Sequence, residues 1–576
     1  MISKIYGPIS NIFSLLSSGQ KRGAIKCVAV MISLAFMEIV AASLVVAMAA
    51  QITTPSEEGM PLTLLAVICL LVFVIKGGVT LLDGYVQSTW IQTIILDFQK
   101  RLATRYTKMD YAHQVTLNSG RSLSVLYSDA DIYMRIGLVS VGILFSETAV
   151  FIVLMGFLLY LQPMITIILL AMFLILGALF VLYLLPIFKK WGKTVQETAQ
   201  AGYQKALQLL QSYKDILIFG KTAHFIGLYM EQSKLRAEVT VKASVAQVIP
   251  RVSLEITFIA FFAGLVITFL WSGQEIAALT TLLSAYLYAG FRLLPSLNRM
   301  IIQFNNIKMS EASITRVVTE LNSPYNKGVY LPAPRLKFNK NIEMKDVSFS
   351  YPGHDKNVLS NIDLIVKKGE FIGIVGETGS GKSTLLHLLL GLLLPKEGAV
   401  LIDEKYPANS HKWHSKIGYA AQNFHLIDGS IADNIAFGVP ERKRDVKRIN
   451  KVVKDAQIDR FVKALPNGID TEIGEKGALV SGGERQRIAL ARALYQQPDV
   501  LMLDEATSAL DLSTEKSIMD SVIKLKKKDL TIIAVTHRLD TLKAADRIIV
   551  IENGRIKEDI KNSKKASVKK NKGKSK

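Results

Sequence analysis

Cysteine is nearly absent, with only Cys27 and Cys69 in 576 residues. Both sit inside apolar segments, so neither a disulfide framework nor a cysteine metal centre is available by spacing. Acid is scarce relative to base, 48 Asp and Glu against 69 Lys and Arg, for a net charge of +21. The shortage is sharpest in Lys561–Lys576, which holds eight lysines and no acid. That tail is expected to be a solvated, disordered end, with contact to an anionic lipid surface as the alternative. No small-residue cleavage site follows the first apolar run, so the run is expected to be retained as a span. No internal repeat is visible. A basic balance suits nucleic acid or the anionic cytoplasmic face of a membrane. The apolar runs described next decide for the membrane, and no nucleic-acid partner is expected.

The chain is 50% hydrophobic and 20% charged, and the two characters are segregated. The long apolar runs fall before about residue 300. Six of them, near Ala24–Gln51, Leu62–Tyr85, Ile136–Leu161, Met164–Pro186, Ala246–Trp271 and Ile276–Met300, approach the roughly 20 residues that cross a bilayer core of about 30 Å. The first twenty or so residues mix apolar and polar groups, as an interfacial helix does. The links Ile52–Pro61, Gln162–Pro163 and Ser272–Glu275 are short, whereas Val86–Arg135 and Ile187–Val245 are long. The long ones are polar and poor in proline, so they are expected to carry helices beyond the bilayer. Their Lys and Arg residues (Lys100, Arg101, Arg105, Lys108, Lys189, Lys190, Lys193, Lys205, Lys214) place them in the cytoplasm, and both termini follow. The expected location is therefore multi-pass in the cytoplasmic (inner) membrane.

The expected organisation is a membrane domain over 1–321, a linker over 322–341, a soluble domain over 342–560 and the lysine-rich tail over 561–576. In the soluble part, Ile342–Phe349, Glu370–Val375, Ala399–Ile402, Val500–Leu503, Thr531–Thr536 and Arg547–Ile551 read as strands alternating with helices. That alternation implies a parallel or mixed sheet with ligands at strand C-termini.

The chemistry is concentrated there. Gly376, Glu377, Thr378, Gly379, Ser380, Gly381, Lys382, Ser383 and Thr384 follow an apolar strand and open a helix, the context a phosphate-binding P-loop requires. Glycines let backbone N–H groups close around phosphates, and the helix N-terminus favours negative charge. Lys382 is expected to reach the β and γ phosphates of ATP and Ser383 to ligate Mg²⁺. Val500–Leu503 carries Asp504 and Glu505 to a strand end beside the P-loop. Asp504 is expected to hold Mg²⁺ through water, and Glu505 to orient or deprotonate the attacking water.

Leu479-Val-Ser481-Gly482-Gly483-Glu484-Arg-Gln486 resembles the signature of ABC ATPases. The resemblance extends over essentially the whole chain, to an exporter-type half-transporter of the ABC superfamily. It implies a membrane α-helical bundle of six transmembrane helices fused to an α/β P-loop nucleotide-binding domain. It also implies an adenine-stacking role for Tyr351, a Mg²⁺-sensing role for Gln422, a D-loop with Asp511 in Ser508–Asp511, a γ-phosphate switch at His537, and an X-loop at Thr471–Glu475. In such proteins ATP is held between the P-loop of one copy and the signature of another. One nucleotide domain per chain then calls for a partner, and a homodimer is the simplest. A short helix in each long excursion is expected to dock on a nucleotide domain, with Tyr111–Tyr127 and Tyr213–Phe225 as the candidates.

Cargo has to be read from the membrane half. Lys76, Arg251, Arg292 and Arg299 lie in or beside apolar spans, where a charge usually lines a cavity, pairs or snorkels. Snorkelling, helped by an Arg251–Glu255 pair, is one reading. The other is a basic belt for a phosphate-bearing headgroup, which guanidinium forks suit. Val248–Glu255, Phe291–Arg299, Phe36-Met-Glu38 and Ser146-Glu147 resemble PglK-type lipid-linked oligosaccharide flippases, which favours the belt and a polyprenyl-pyrophosphate glycan. Lys76 stands where that family tends to have Arg, and the Ile52–Pro61 link is short for its external helix. A peptide, drug or other lipid exporter of the same fold, and an ATP-gated membrane protein, are the competing expectations.

Overall fold

The computed structural model describes residues 15–53, 60–116, 118–272, 276–322, 337–354, 356–422, 424–474, 477, 479–505, 518–524, 529–536 and 542–561. Most of the expected interfacial segment, most of the linker and nearly all of the tail lie outside these. The chain forms two compact units: Met1–Thr107 with Leu117–Pro324, and Lys108–Thr116 with Tyr325–Lys576.

The first unit is built on long helices: α1 (Ser18–Thr53), α2 (Leu62–Lys108), α4 (Met134–Leu161), α5 (Pro163–Gln211), α7 (Thr222–Ser272) and α8 (Ile276–Asn322). The short α3 (Tyr111–Thr116) and α6 (Tyr213–Ile218) fall at the middle of the two long excursions. At 1.5 Å per residue, the 47 residues of α2 reach about 70 Å, far past the hydrocarbon. The excursions therefore continue the helices. Among the described residues five helical stretches are long and apolar enough to cross a membrane. Several side chains at the start of α8 lie outside the described residues.

The buried positions of α2 show how the extensions hold together. Ile91, Ile94, Ile95, Phe98 and Leu102 recur on one face and share a core with Leu138 of α4 and Ile314 and Val317 of α8. The chain enters α4 through one helical turn at Ser119–Ser124 and a nine-residue π-helix at Val125–Tyr133. Extended Gln162 breaks α4 from α5, and Pro163, whose missing N–H costs nothing at a first helical position, restarts the helix. The helices α5 and α8 come so close at Gly192 that a Cβ there would lie 2.3 Å from the carbonyl oxygen of Met309.

The second unit holds two sheets. The antiparallel one has the order β2 (Leu359–Lys367), β1 (Asn341–Phe349), β4 (Glu397–Ile402), β5 (Tyr406–Pro407). The other runs β10 (Arg555–Lys561), β9 (Arg547–Glu552), β3 (Phe371–Gly376), β8 (Thr531–Val535), β7 (Val500–Asp504), β6 (Ile417–Ala420). It is parallel apart from the β9–β10 edge. Its middle strands are buried on both faces, as apolar runs in a parallel sheet are. Phe371, Leu501, Leu503, Ile532 and Ala534 enter one core, and Ile372, Ile374, Met502, Ile533 and Val535 enter the other. The helix α9 (Lys382–Leu389) packs in the second core and α10 (Gly482–Tyr495) in the first. Their N-termini thus belong to opposite faces of one sheet.

Candidate functional site

The loop after β3 is shaped by glycine. A Cβ at Gly376 would sit 2.3 Å from the Ile551 carbonyl oxygen and 2.7 Å from Ser380 Oγ. Gly379 and Gly381 take φ of +83° and +102°, the left-handed region that side chains disfavour. Lys382 opens α9, and its Nζ donates to the carbonyl oxygens of Gly376 (2.9 Å) and Glu377 (2.7 Å). Burial pushes its ammonium pKa down, while nearby Glu505 and Asp504 act the other way. Ser380 Oγ is buried without a hydrogen-bond partner.

The strand β7 ends in Asp504, which is 5% exposed. Burial and then the adjacent Glu505 raise its carboxyl above the usual carboxylate range, against the pull of Lys382, Ser383 and Tyr419. Its Oδ1 has no hydrogen-bond partner. Glu505 adopts φ +47°, a costly conformation for a residue with a side chain. Its N–H donates to the Val535 carbonyl at 3.0 Å, and its Oε2 accepts from Gln422 Nε2 at 2.7 Å. The Tyr351 ring meets Phe349 edge-on at 5.1 Å, and its hydroxyl lies 3.3 Å from Thr384 Oγ1. The loop, Gln422, Asp504, Glu505 and Tyr351 thus gather in one unit at the C-terminal ends of the parallel strands. Left-handed glycines, a helix N-terminus, a buried lysine and two orphaned oxygens fit a polyphosphate with its divalent cation.

Ser481 caps α10 in a reciprocal box. Its Oγ accepts the Glu484 N–H at 3.3 Å, while its own N–H and hydroxyl donate to Glu484 Oε2 at 2.8 and 2.7 Å. Gly482 and Gly483 form the first turn. Arg492 in the last turn ties α10 to the segment after Gln422, donating to the carbonyls of Asn434 (2.7 Å) and His425 (2.9 Å). Asp511, the rest of the expected D-loop, His537 and Glu475 lie outside the described residues.

Of the stretch Tyr111–Tyr127 expected to dock on a nucleotide domain, only residues 111–116 form α3 and group with the second unit. Its Tyr111 ring meets His387 of α9 edge-on at 5.2 Å. Burial raises the Tyr111 phenol, with Tyr351 and Asp504 nearby, and lowers His387. Around α6, Ile216 is buried whereas Tyr213, Leu217, Ile218 and Phe219 are exposed.

In the first unit, three of the four basic residues converge. Glu38 of α1, fully buried, receives Lys76 Nζ of α2 at 2.8 Å and Arg292 Nε of α8 at 2.6 Å. Glu147 of α4 receives Arg299 Nε at 2.6 Å and the Ser296 hydroxyl at 2.5 Å. Glu38, Lys76, Glu147, Arg292 and Arg299 line a cavity of about 510 Å³ together with Asp83 and Gln87. Arg251 does not join them in this cavity: it lies exposed on α7, paired with Glu255 of the next turn at 2.9 Å. A second cavity of about 880 Å³, lined by apolar residues such as Val45, Ile52, Leu70, Phe73, Leu287 and Phe291, lies along three of these four helices, α1, α2 and α8. The Lys76 ammonium sits 5.1 Å over the Phe73 ring at the junction.

Residues 24–290 match the family described as ABC transporter transmembrane region, and residues 359–508 the family described as ABC transporter. The chain belongs to the ABC transporter family. A further match, to the P-loop domain family, covers residues 444–574. An ATP-dependent lipid A-core flippase of Mannheimia succiniciproducens is 28% identical over 503 residues, 86% of this chain and 84% of that protein. The flippase of the same name from Photorhabdus laumondii is 32% identical over 384 residues, 64% of each chain. A bacterial Atm1-family ABC exporter with ATP bound shares the fold, with a TM-score of 0.76 at 22% identity over 97% of this chain and 98% of that one. The protein is an exporter-type ABC transporter, a multi-pass membrane ATPase that drives transport.

Sequence reasoning missed several residues of this exporter. Asp83 and Gln87 are polar residues one turn apart at the end of an apolar run, and Asp83 lies seven residues from Lys76, which was the available signal. The roles of Glu38 and Glu147 as counter-charges had none, because their arginine partners are 254 and 152 residues away and Lys76 is 38 from Glu38.

Proposed function

We propose that the exporter works as a homodimer and flips a phosphate-bearing, lipid-linked oligosaccharide, a polyprenyl-pyrophosphate glycan, across the cytoplasmic membrane. The observation that carries this is the pairing of cavities. A polar one with Lys76, Arg292 and Arg299 adjoins an apolar one on the same helices. By the orientation read from the basic excursions, the apolar cavity lies on the external side. That arrangement suits an amphiphile with an anionic head and a hydrocarbon tail. The names of the lipid A-core flippases support a second reading of the same chemistry, in which the cargo is a phosphorylated glycolipid of that kind.

ATP is taken by Gly376–Thr384 with Tyr351 against the base, and Ser383, Gln422 and, through water, Asp504 would hold Mg²⁺, which would supply neutralisation of phosphate charge. Lys382 turns from the loop carbonyls to the phosphates. Gln422 orients the Glu505 carboxylate, which accepts the proton of the attacking water, with His537 at the γ-phosphate. Ser481, Gly482, Gly483, Glu484 and Asp511 act on the nucleotide of the other copy. The opposite-face placement of the α9 and α10 N-termini and the exposed apolar side chains of α6 support a two-chain assembly. The test is ATPase stimulation in proteoliposomes by polyprenyl-pyrophosphate glycans, lipid A-core, neutral lipids and peptides. Stimulation by the first, lost in Arg292→Ala with Arg299→Ala, is expected. Stimulation by peptides alone refutes the proposal.

A further inference from the structure

We propose that Asp83 is a second recognition point in the polar cavity, accepting a hydrogen bond from a hydroxyl or amide N–H of the sugar next to the lipid phosphate. This rests on the glycolipid reading above and deepens it. Asp83 is 7% exposed. Gln87 Nε2 donates to its Oδ2 at 2.7 Å, and its Oδ1 has no partner. In its present rotamer the Gln87 amide occupies the space that Gly142 of α4 leaves open. A Cβ there would lie 2.6 Å from Gln87 Oε1.

The cavity's cations are committed elsewhere, Lys76 and Arg292 to Glu38 and Arg299 to Glu147. Among the described residues none forms an ion pair with Asp83. An ionised carboxylate only accepts hydrogen bonds, so the unpartnered Oδ1, buried here and brought to the cavity by a turn of the side chain, suits a donor, and the charge repels phosphate. Along α2, Asp83 shares a face with Lys76 and lies about 10 Å further towards the cytoplasmic end. A headgroup whose phosphate meets Lys76 and Arg292 therefore places its sugar towards Asp83. The two poles together select a phosphate that carries a hydrogen-bond donor on its cytoplasmic side.

The full-length chain in proteoliposomes is titrated with undecaprenyl pyrophosphate and with the same lipid bearing N-acetylglucosamine, reading ATPase rate. Wild type is expected to reach half-stimulation at a lower concentration of the glycosylated lipid. Asp83→Asn keeps the shape but turns an NH₂ group to the cavity if Gln87 keeps its bond. It is expected to raise the half-stimulating concentration of the glycosylated lipid about tenfold relative to that of the bare lipid, whose own curve stays in place or moves to lower concentration as the repelling charge is lost. Gln87→Leu, which frees Asp83 to reorient, narrows the gap between the lipids. A gap of wild-type size in Asp83→Asn, no gap in wild type, or an equal loss of both responses overturns the proposal, the last marking Asp83 as structural. If neither lipid stimulates wild type, the pyrophosphate-lipid reading itself falls and takes this one with it.

Discussion

Glu38→Gln removes the charge that holds two cations in the membrane unit. The carboxylate is fully buried and makes two charge-assisted hydrogen bonds, of 2.8 Å to Lys76 and 2.6 Å to Arg292. Such bonds contribute about 1.5–3 kcal/mol each, and stripping one partner from a buried pair costs about 3–5 kcal/mol. Lys76 and Arg292 are 15% and 22% exposed to the cavity, so water partly replaces the lost carboxylate. The glutamine also still accepts one bond. The expected loss is therefore near the lower end, about 3 kcal/mol. The assay is chemical unfolding in mixed micelles for wild type, Glu38→Gln, Arg292→Gln and the double variant. Removing Arg292 is expected to cost much less once Glu38 is neutral, with a coupling of about 1.5 kcal/mol. The same substitution leaves Arg292 unmasked and is expected to lower the half-stimulating concentration of a pyrophosphate lipid. Glu38→Gln within about 0.5 kcal/mol of wild type, together with additive effects in the cycle, refutes the ion-pair account.

Glu505→Gln is expected to slow ATP hydrolysis at least about 100-fold while nucleotide is still retained, measured by phosphate release and filter binding. Unchanged hydrolysis removes Glu505 from its role as base. Because burial raises the Asp504 carboxyl, protonation competes with Mg²⁺ at a higher pH than at an ordinary aspartate, and the ionised form is the one that holds the cation. The half-saturating Mg²⁺ concentration for ATPase is therefore expected to climb as pH falls below neutrality, at a higher pH than an ordinary aspartate would require, and a flat profile contradicts this. Gly192→Val places side-chain atoms against the α8 backbone at Met309, where a Cβ already lies at 2.3 Å. A cost of about 3 kcal/mol, or failure to yield monodisperse protein, is expected.

Much of this could be read in advance where one physical demand acts on a short stretch. Phosphate binding needs glycines at set places after a strand, so Gly376–Ser383 was legible, as was Val500–Asp504, whose burial on both faces leaves an unbroken apolar run. Crossing hydrocarbon likewise forces long apolar segments. The strands β2, β6 and β10 were less legible for distinct reasons. The first alternates buried and exposed residues beside an antiparallel neighbour, the second has only four residues, and the third is a charged, exposed edge. Arg251 shows the limit for charges. Its i, i+4 partner Glu255 was visible on the same helix, yet only the packing of α1, α2, α4 and α8 separates it from Arg292 and Arg299.

The capping box at Ser481 has a kinetic corollary. Gly482 and Gly483 already form the first helical turn and the Ser481 hydroxyl is already engaged by Glu484, so in the proposed two-chain assembly a phosphate arriving from the other copy meets a preformed surface. Little chain entropy remains to be lost at that moment, and what changes is the rotation of one hydroxyl from carboxylate to phosphate. Closure then amounts to a swap of anions at a rigid helix end, which makes it readily reversible once the phosphate is cut and leaves.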